Sequence, residues 1–323
     1  MNEFADYLAR ELPKIEECLR EHVAGLNAYV RPAADHVLAA GGKRLRPLLT
    51  ILTARALGVG ADEDVYPLAC SLELLHSATL LHDDILDDAA LRRGKPAAHT
   101  VFGTTHTILA GDALLALANA MVARYGKPVL TECLSNAIMK TVSGEIQEIA
   151  HIRDVALTMD DYLEIITGKT ACLIQSACQA GALMAGASQA QAQAAGDFGM
   201  NLGIAFQLVD DALDYTSPKE VSGKPKGSDI REGKLTLPLI SYIASLDDEQ
   251  RKRFTQAFKE NTLSEDQLES ALAAVASGGH AEKTRDMAAS YLDEAGRCLD
   301  ALPDSAEARL LRSALEGMAR RDK

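Results

Sequence analysis

Two segments far apart in the chain, LHDDILDD at 81–88 and FQLVDDALDY at 206–215, set aspartates at i, i+1 and i+4 among apolar residues. In an α-helix the i and i+4 side chains share a face, about 5–6 Å apart at Cβ. Asp83 with Asp87, and Asp210 with Asp214, then form two-pronged oxygen clamps that suit hard divalent cations. Taken alone, either cluster reads as a solvated acidic face. Its surroundings argue otherwise: at about 100° per residue, Leu80 and Leu86 flank Asp83 while Leu74, Ala78, Leu81 and Ile85 line the other side. A helix apolar nearly all round is expected to be buried, and buried aspartates need cations or a water-filled cavity to compensate them. In the second segment Leu202, Ala205, Phe206, Val209 and Leu213 form the packing stripe, and Gln207, Asp210, Asp211 and Asp214 crowd the adjoining arc. Two buried helices with acidic faces imply a shared polynuclear metal site, with Asp84, Asp211 and Asp214 in support.

The rest of the chain predicts an all-α fold. Hydrophobic residues make up 47% but aromatics only 4%, with no Trp, and the apolar content is Ala and Leu, which favour helix over strand. ACLIQSACQAGALMAGA and GDALLALANAMVARY read as helices, and no period-2 alternation is sustained. A length of 323 residues allows one or two domains,. No linker divides them, so one domain over 1–323 is expected; the irregular stretch 216–234 is too charged and too close to the second acidic segment to be a tether.

The six cysteines follow no CxxC or zinc spacing and read as buried apolar groups in a reducing compartment,. The N-terminus, MNEFADYLARELPKIEE, is acidic and amphipathic, unlike a signal peptide, and no run of eighteen apolar residues marks a membrane span. A cytoplasmic protein is expected. Its net charge of −13 argues against nucleic acid as a partner,, but not against a phosphorylated substrate, because distant charges are screened beyond about 8 Å.

Basic residues do cluster locally. In GGKRLRP at 41–47 two glycines break a helix and let the backbone approach a ligand, while Lys43, Arg44 and Arg46 supply charge,. In LRRGKP at 91–96, Gly94 and Pro96 end the first acidic helix; Arg92 and Arg93 beyond it can either pair with Asp87 or Asp88 or grip a diphosphate. The acidic face already requires cations, which favours the diphosphate. ITGKTACL at 166–173 mimics the end of a Walker A loop, but Leu163 stands where that loop needs glycine; Lys169 and Thr170 can still reach a phosphate from a helix bent at Gly168,. Lys224, Lys226 and Lys234 lie in a loop that can close over a site. His76, two turns before Asp83 and within about 20° of it on the wheel, is placed to bind a ligand or simply to pack.

Taken in order, GGKRLRP, LHDDILDD with LRRGKP, GKT, FQLVDDALD and GKPKGSDIREGK resemble the motifs of the trans-isoprenyl diphosphate synthases, an all-α family that includes farnesyl, geranylgeranyl and long-chain polyprenyl diphosphate synthases. The resemblance covers most of the chain and implies a single large helical bundle with a central active-site cavity. It further implies condensation of isopentenyl diphosphate with an allylic diphosphate by metal-assisted ionisation. Asp83, Asp87 and Asp210 would hold Mg2+, three ions with substrate bound, acting as Lewis acids. Arg92, Lys169, Thr170, Gln207, Lys224 and Lys234 would cradle the allylic diphosphate, and Lys43, Arg46, His76 and Arg93 the isopentenyl diphosphate. Ionisation leaves an allylic cation, the isopentenyl double bond attacks, and the departing pyrophosphate takes the proton; no side-chain nucleophile is required.

In such enzymes the growing chain runs down a tunnel beside the first acidic helix, and bulky residues four and five positions before the motif shorten the product. Here Thr79 and Ala78 are small, next to Leu75, which implies a long product of the octaprenyl kind. Ala78 falls about 140° from Asp83 on the wheel, so Thr79 is the better tunnel-lining position. A shorter-chain synthase, a class I terpene cyclase and a non-catalytic subunit of a heteromeric synthase are the alternatives. A cyclase has no use for GGKRLRP, and inactive subunits tend to lose aspartates that this chain keeps. The resemblance also implies a homodimer, with peripheral membrane contact for product release.

Overall fold

Alanine, leucine and unbranched polar residues lose little side-chain freedom in a helix. In a computed structural model of the chain, which describes residues 3–60, 63–216 and 226–319, they form helices almost throughout. The first are α1 (Glu3–Ala24), α2 (Arg31–Ala39), α3 (Leu45–Ala56) and α4 (Tyr66–Leu86), followed by a hairpin of β1 (Leu91–Arg92) and β2 (Lys95–Pro96). Then come α5 (Ala98–Phe102), α6 (Thr104–Ala123), α7 (Pro128–Ala150), α8 (Met159–Ile166), a π-helical turn (Thr167–Ala171), α9 (Cys172–Met184) and α10 (Gln189–Thr216). The remainder is α11 (Ser228–Glu232), α12 (Leu237–Ser245), α13 (Asp248–Lys259), α14 (Glu265–Ser277), α15 (His280–Cys298), a 3-10 turn (Leu299–Ala301) and α16 (Ala306–Ala319). The chain is all-α apart from the hairpin, whose two-residue strands are too short to show alternation.

Packing divides the chain into two compact units. One comprises Met1–Met139, Leu173–Gly199 and Gly296–Glu316; the other comprises Lys140–Cys172, Met200–Ala295 and Gly317–Lys323. Each is assembled from separated stretches, and α7 and α10 run from one into the other, so no single cut in the sequence would release either.

In the first unit α4 is the central element. Pro67 occupies its first turn, where a missing N–H costs nothing,. Leu68, Leu72, Leu74, Leu75, Ala78 and Leu81 are at most 1% exposed, packed along α6 and against α3 and α1. Burial of each leucine contributes about 1.5–3 kcal/mol. Glu11 on α1 is equally buried and pairs with Arg55 of α3 at 3.0 Å. Burial alone would raise its pKa, but hydrogen bonds from Arg55, Tyr66 and Arg10 bring it down to about 2.

Among the described residues α6 is the one helix long and apolar enough to cross a membrane, with a mean hydropathy of 1.4 over its most apolar window. It holds no uninterrupted apolar run, because Asp112 and Asn119 break it although the average stays high. Ala110, Leu114, Ala118, Met121 and Val122 bury one face of this helix within its unit, as a core helix does.

In the second unit α8 opens with a capping box in which Thr158 accepts the Asp161 N–H while the Asp161 carboxylate accepts the Thr158 N–H,. It runs directly into the π turn. Helix α12 packs against α8, α13 and α14. None of the six cysteines is in a disulfide; five are buried as expected, and Cys298 is half-buried.

Candidate active site

Both aspartate clusters occupy the C-terminal turns of their helices: Asp83, Asp84 and Asp87 at the end of α4, Asp210, Asp211 and Asp214 near the end of α10. Neither helix has a basic residue in its last turn. The helix macrodipole is negative at such an end and disfavours a carboxylate in the last turn, as at Asp83 and Asp214, by about 0.3–1 kcal/mol,. Acids in this position call for cations supplied by something other than the helix.

In the first unit Asp87 caps α4, its N–H bonded to the Asp83 carbonyl at 2.8 Å, so the i, i+4 relation holds. The expected burial of the acidic face is corrected. Asp83 is half-buried and Asp87 exposed, because α4 ends at Leu86 and the chain turns outward; only Asp84 is buried, at 1% exposure. Asp84 accepts from Arg92 Nε at 2.7 Å and pairs with its Nη2. Arg92 therefore answers neither Asp87 nor Asp88 but the buried Asp84, an anchor that leaves the rest of its guanidinium for a ligand.

Arg92 and Arg93 do not lie in a helix-ending loop as expected. They belong to the antiparallel hairpin, in register Leu91 with Pro96 and Arg92 with Lys95. Arg93 and Gly94 both have positive φ, 52° and 76°, the turn that matches strand twist in two-residue hairpins,. His36 Nε2 donates to the Pro96 carbonyl at 2.8 Å and Lys95 Nζ to the Ala39 carbonyl at 2.6 Å, clasping the hairpin to α2. The next segment, GGKRLRP, forms the α2–α3 turn. Lys43 is exposed and Arg46 half-buried. Arg44, expected to supply ligand charge, is instead structural: in a left-handed conformation and 3% exposed, it bonds Glu16 at 2.7 Å, Glu73 at 2.9 Å and the Leu38 carbonyl at 2.9 Å.

His76 sits half-buried on α4. Burial and the positive fields of Arg46, Arg93, Arg92 and Arg44 hold its pKa well below the usual histidine value, so it is neutral. Burial also lowers the Arg93 pKa, partly offset by Glu73, while Arg44 and Arg92 lower it further. These arginines surround an uncharged imidazole with positive field, and a Cβ on Gly42 would stand 2.7 Å from Arg93 Nη1, so the GGKRLRP turn lies against the hairpin. Leu75 and Ala78 are fully buried; Thr79 is half-buried, its hydroxyl donating to the His76 carbonyl at 2.8 Å.

In the second unit the π turn carries Lys169 and Thr170. A side chain at Gly144 of α7 would collide with the backbone of Gly168 and Lys169, so the two segments touch backbone to backbone. Lys169 Nζ lies 2.8 Å from Glu145 and 2.5 Å from Glu148. Burial would lower its pKa, but Glu148 and Glu145 outweigh this and raise it to about 12, so it stays charged. Lys234 pairs with Glu232 at 2.8 Å and Glu148 at 3.7 Å. The sequence reading missed Glu145 and Glu148, although their i, i+3 spacing in SGEIQEI was a usable signal.

Thr170 donates to Gln207 Oε1 at 2.9 Å, Gln207 Nε2 donates to Asp211 at 2.8 Å, and Tyr162, also unforeseen, donates to the other Asp211 oxygen at 2.5 Å. Asp211 is buried; burial raises its pKa to about 7, against the pull of Tyr162 and Gln207. Asp214, expected to form a clamp with Asp210, also makes hydrogen bonds within the protein. Its carboxylate accepts the Ser228 N–H and hydroxyl at 3.2 and 2.9 Å and the Asp229 N–H at 3.2 Å, capping α11. Asp210 is the exposed member of the cluster. Lys224 lies outside the described residues, and Lys226 is exposed.

No group of three or more His, Cys, Asp or Glu preformed for a metal occurs among the described residues. Paired carboxylates without a closed cage still fit magnesium, which keeps most of its waters and takes one or two carboxylates together with substrate phosphates.

The polyprenyl synthetase family model matches residues 27–275. The octaprenyl diphosphate synthase of Escherichia coli (strain K12) is 34% identical over 319 residues, 95% of this chain and 97% of that one. Component 2 of the heptaprenyl diphosphate synthase of Geobacillus stearothermophilus is 35% identical over 316 residues, covering 98% and 97%. The crystal structure of a polyprenyl synthase from Caulobacter crescentus CB15, complexed with calcium and isoprenyl diphosphate, aligns with a TM-score of 0.92 at 36% identity, over 98% of this chain and 97% of that one.

Proposed function

We propose, because this chain belongs to the polyprenyl synthetase family, that its two aspartate clusters and their neighbouring bases ionise an allylic diphosphate with the help of magnesium. The enzyme is a long-chain trans-prenyltransferase, joining isopentenyl diphosphate to an allylic diphosphate. Asp83, Asp87 and Asp210 would hold the magnesium, which when bound neutralises the departing diphosphate. Lys169, Thr170, Gln207, Lys234 and the outer edge of Arg92 hold the allylic diphosphate, with Lys224 in the same role. Lys43, Arg46, Arg93 and neutral His76 hold isopentenyl diphosphate. Asp84 and Asp211 position Arg92 and Gln207 by hydrogen bonds. The observation that carries this reading is that Arg92, bonded to the buried Asp84 at 2.7 Å, and Arg93, against Gly42 of GGKRLRP, share one hairpin in the same unit as Asp83 and Asp87. A polyanion bound with its own cations suits both the bases and the carboxylates.

The small side chains of Ala78 and Thr79 support a long tail, and we place the product in the octaprenyl class. Ala78→Phe is expected to shorten the main product by several isoprene units, read by reverse-phase chromatography; an unchanged length distribution would remove the tunnel from this face of α4.

A homodimer is also proposed. Met139, Val142, Ile146 and Ile149 are 60%, 51%, 62% and 47% exposed and fall within an arc of about 80° along α7, an apolar stripe too long for an unpartnered surface. Val142→Glu should halve the sedimentation mass, and an unaltered mass would exclude this stripe as the contact. The free, buried thiols suit the cytoplasm, where we place the enzyme. A second reading comes from the Geobacillus relative, named as one component of a synthase: this chain would then need a different partner, and full activity of the purified chain alone excludes it.

A further inference from the structure

We infer that Arg153, which follows α7 and lies outside every motif of the reaction, is a positioning residue for Lys234; the inference rests on Lys234 binding the allylic diphosphate. Arg153 holds the 231–234 segment by two bonds and ties it to α13 by a third. Its N–H donates to the Gly233 carbonyl at 2.8 Å, Nη2 to the Arg231 carbonyl at 3.1 Å and Nη1 to the Phe258 carbonyl at 3.1 Å. The guanidinium also lies 5.7 Å from the centroid of the Phe258 ring, and Phe258 is fully buried.

The local geometry is costly unless it serves something. Arg153 is a non-glycine residue in the left-handed region at φ 59°, which side chains adopt only when surroundings impose it. A Cβ on Gly233 would stand 2.7 Å from Arg153 Cγ, so the two segments are pressed together. Arg153 follows Glu148 by five residues on the same chain, and Glu148 is a partner of both Lys169 and Lys234. The clamp therefore fixes how far the backbone of Lys234 stands from the carboxylate that shares its charge with Lys169. From the opposite end, Asp214 caps α11, and the Lys234 N–H bonds the Asp229 carbonyl at 2.8 Å. The segment is pinned at both ends, and Lys234 is the one cation it carries toward Glu148. Without the Arg153 side chain the segment would keep the backbone bond to Gly233 but lose its tie to Arg231 and Phe258, and binding would lose part of the advantage of a preset charge.

Arg153→Gly removes the side chain while suiting the positive φ, so the chain is expected to fold; Arg153→Ala and Arg153→Lys complete the set. Kinetics with farnesyl diphosphate and isopentenyl diphosphate should show the allylic KM rising about tenfold in Arg153→Gly and Arg153→Ala, the value of one charge-assisted contact. The isopentenyl KM should change less than about twofold, and Arg153→Lys should fall between. In the Lys234→Ala background, adding Arg153→Gly should cause no further loss, because the two act as one unit. Independent effects that multiply in the double variant would overturn the positioning role while leaving Lys234 as a ligand. A Lys234→Ala enzyme with unchanged allylic KM would remove the ligand reading itself, and the inference with it.

Discussion

Asp83→Ala and Asp210→Ala are each expected to lower kcat/KM for condensation by about 10³-fold or more, equivalent to about 4 kcal/mol of transition-state stabilisation. The accompanying change in stability should be zero or slightly favourable. Asp83 stands in the last turn of α4, which carries no base, so its removal relieves a macrodipole penalty of about 0.3–1 kcal/mol. A residue that weakens its own helix and is also indispensable is held there for chemistry. Asp214→Ala should behave differently: it uncaps α11 and loosens the Lys234 segment, so activity and local protection from hydrogen exchange fall together. Near-normal turnover in Asp83→Ala, or a fall in activity matched by global unfolding, would contradict the assignment.

The largest effect on stability is expected at Arg44. It is buried at the α2–α3 turn and answers Glu73, which is 3% exposed and whose second carboxylate oxygen has no hydrogen-bond partner. Arg44→Ala would strand that carboxylate and release Glu16 and the Leu38 carbonyl, a loss of about 3–5 kcal/mol. Removing both charges in Arg44→Met with Glu73→Leu should cost clearly less, because no buried charge then remains. Urea denaturation of the two variants measures this. Equal losses would mean that Arg44 contributes packing rather than charge compensation.

The helices and the two acidic clusters were legible because they rest on short-range periodicity: Asp83 and Asp87 are linked by a single backbone hydrogen bond. What was not legible depends on contacts distant in sequence. In GGKRLRP, nothing local distinguishes Arg44, which the left-handed turn folds inward onto Glu16 and Glu73, from Arg46, whose positive field reaches His76. Asp214 matches Asp210 in spacing, but α11 returns to occupy its carboxylate. The burial of the acidic faces was overestimated because a helical wheel has no ends, and these clusters lie where helices stop. Glu145 and Glu148 looked like solvated charges until the π turn brought Lys169 against them, and Tyr162 was an ordinary apolar position until it met Asp211. The hairpin at Arg92 and Arg93 is set by two consecutive positive φ angles, and only the glycine of that pair announces itself in sequence.

The central claim is that magnesium held by these aspartates lets the chain ionise an allylic diphosphate and extend it with isopentenyl units. The direct measurement is to incubate the purified protein with isopentenyl diphosphate and geranyl or farnesyl diphosphate, with magnesium and with excess chelator, and to size the products by reverse-phase chromatography. Linear products longer than geranylgeranyl diphosphate, formed with magnesium and absent with chelator, are the expected result. Cyclised hydrocarbons, or no condensation by the chain alone in the presence of magnesium, would contradict it.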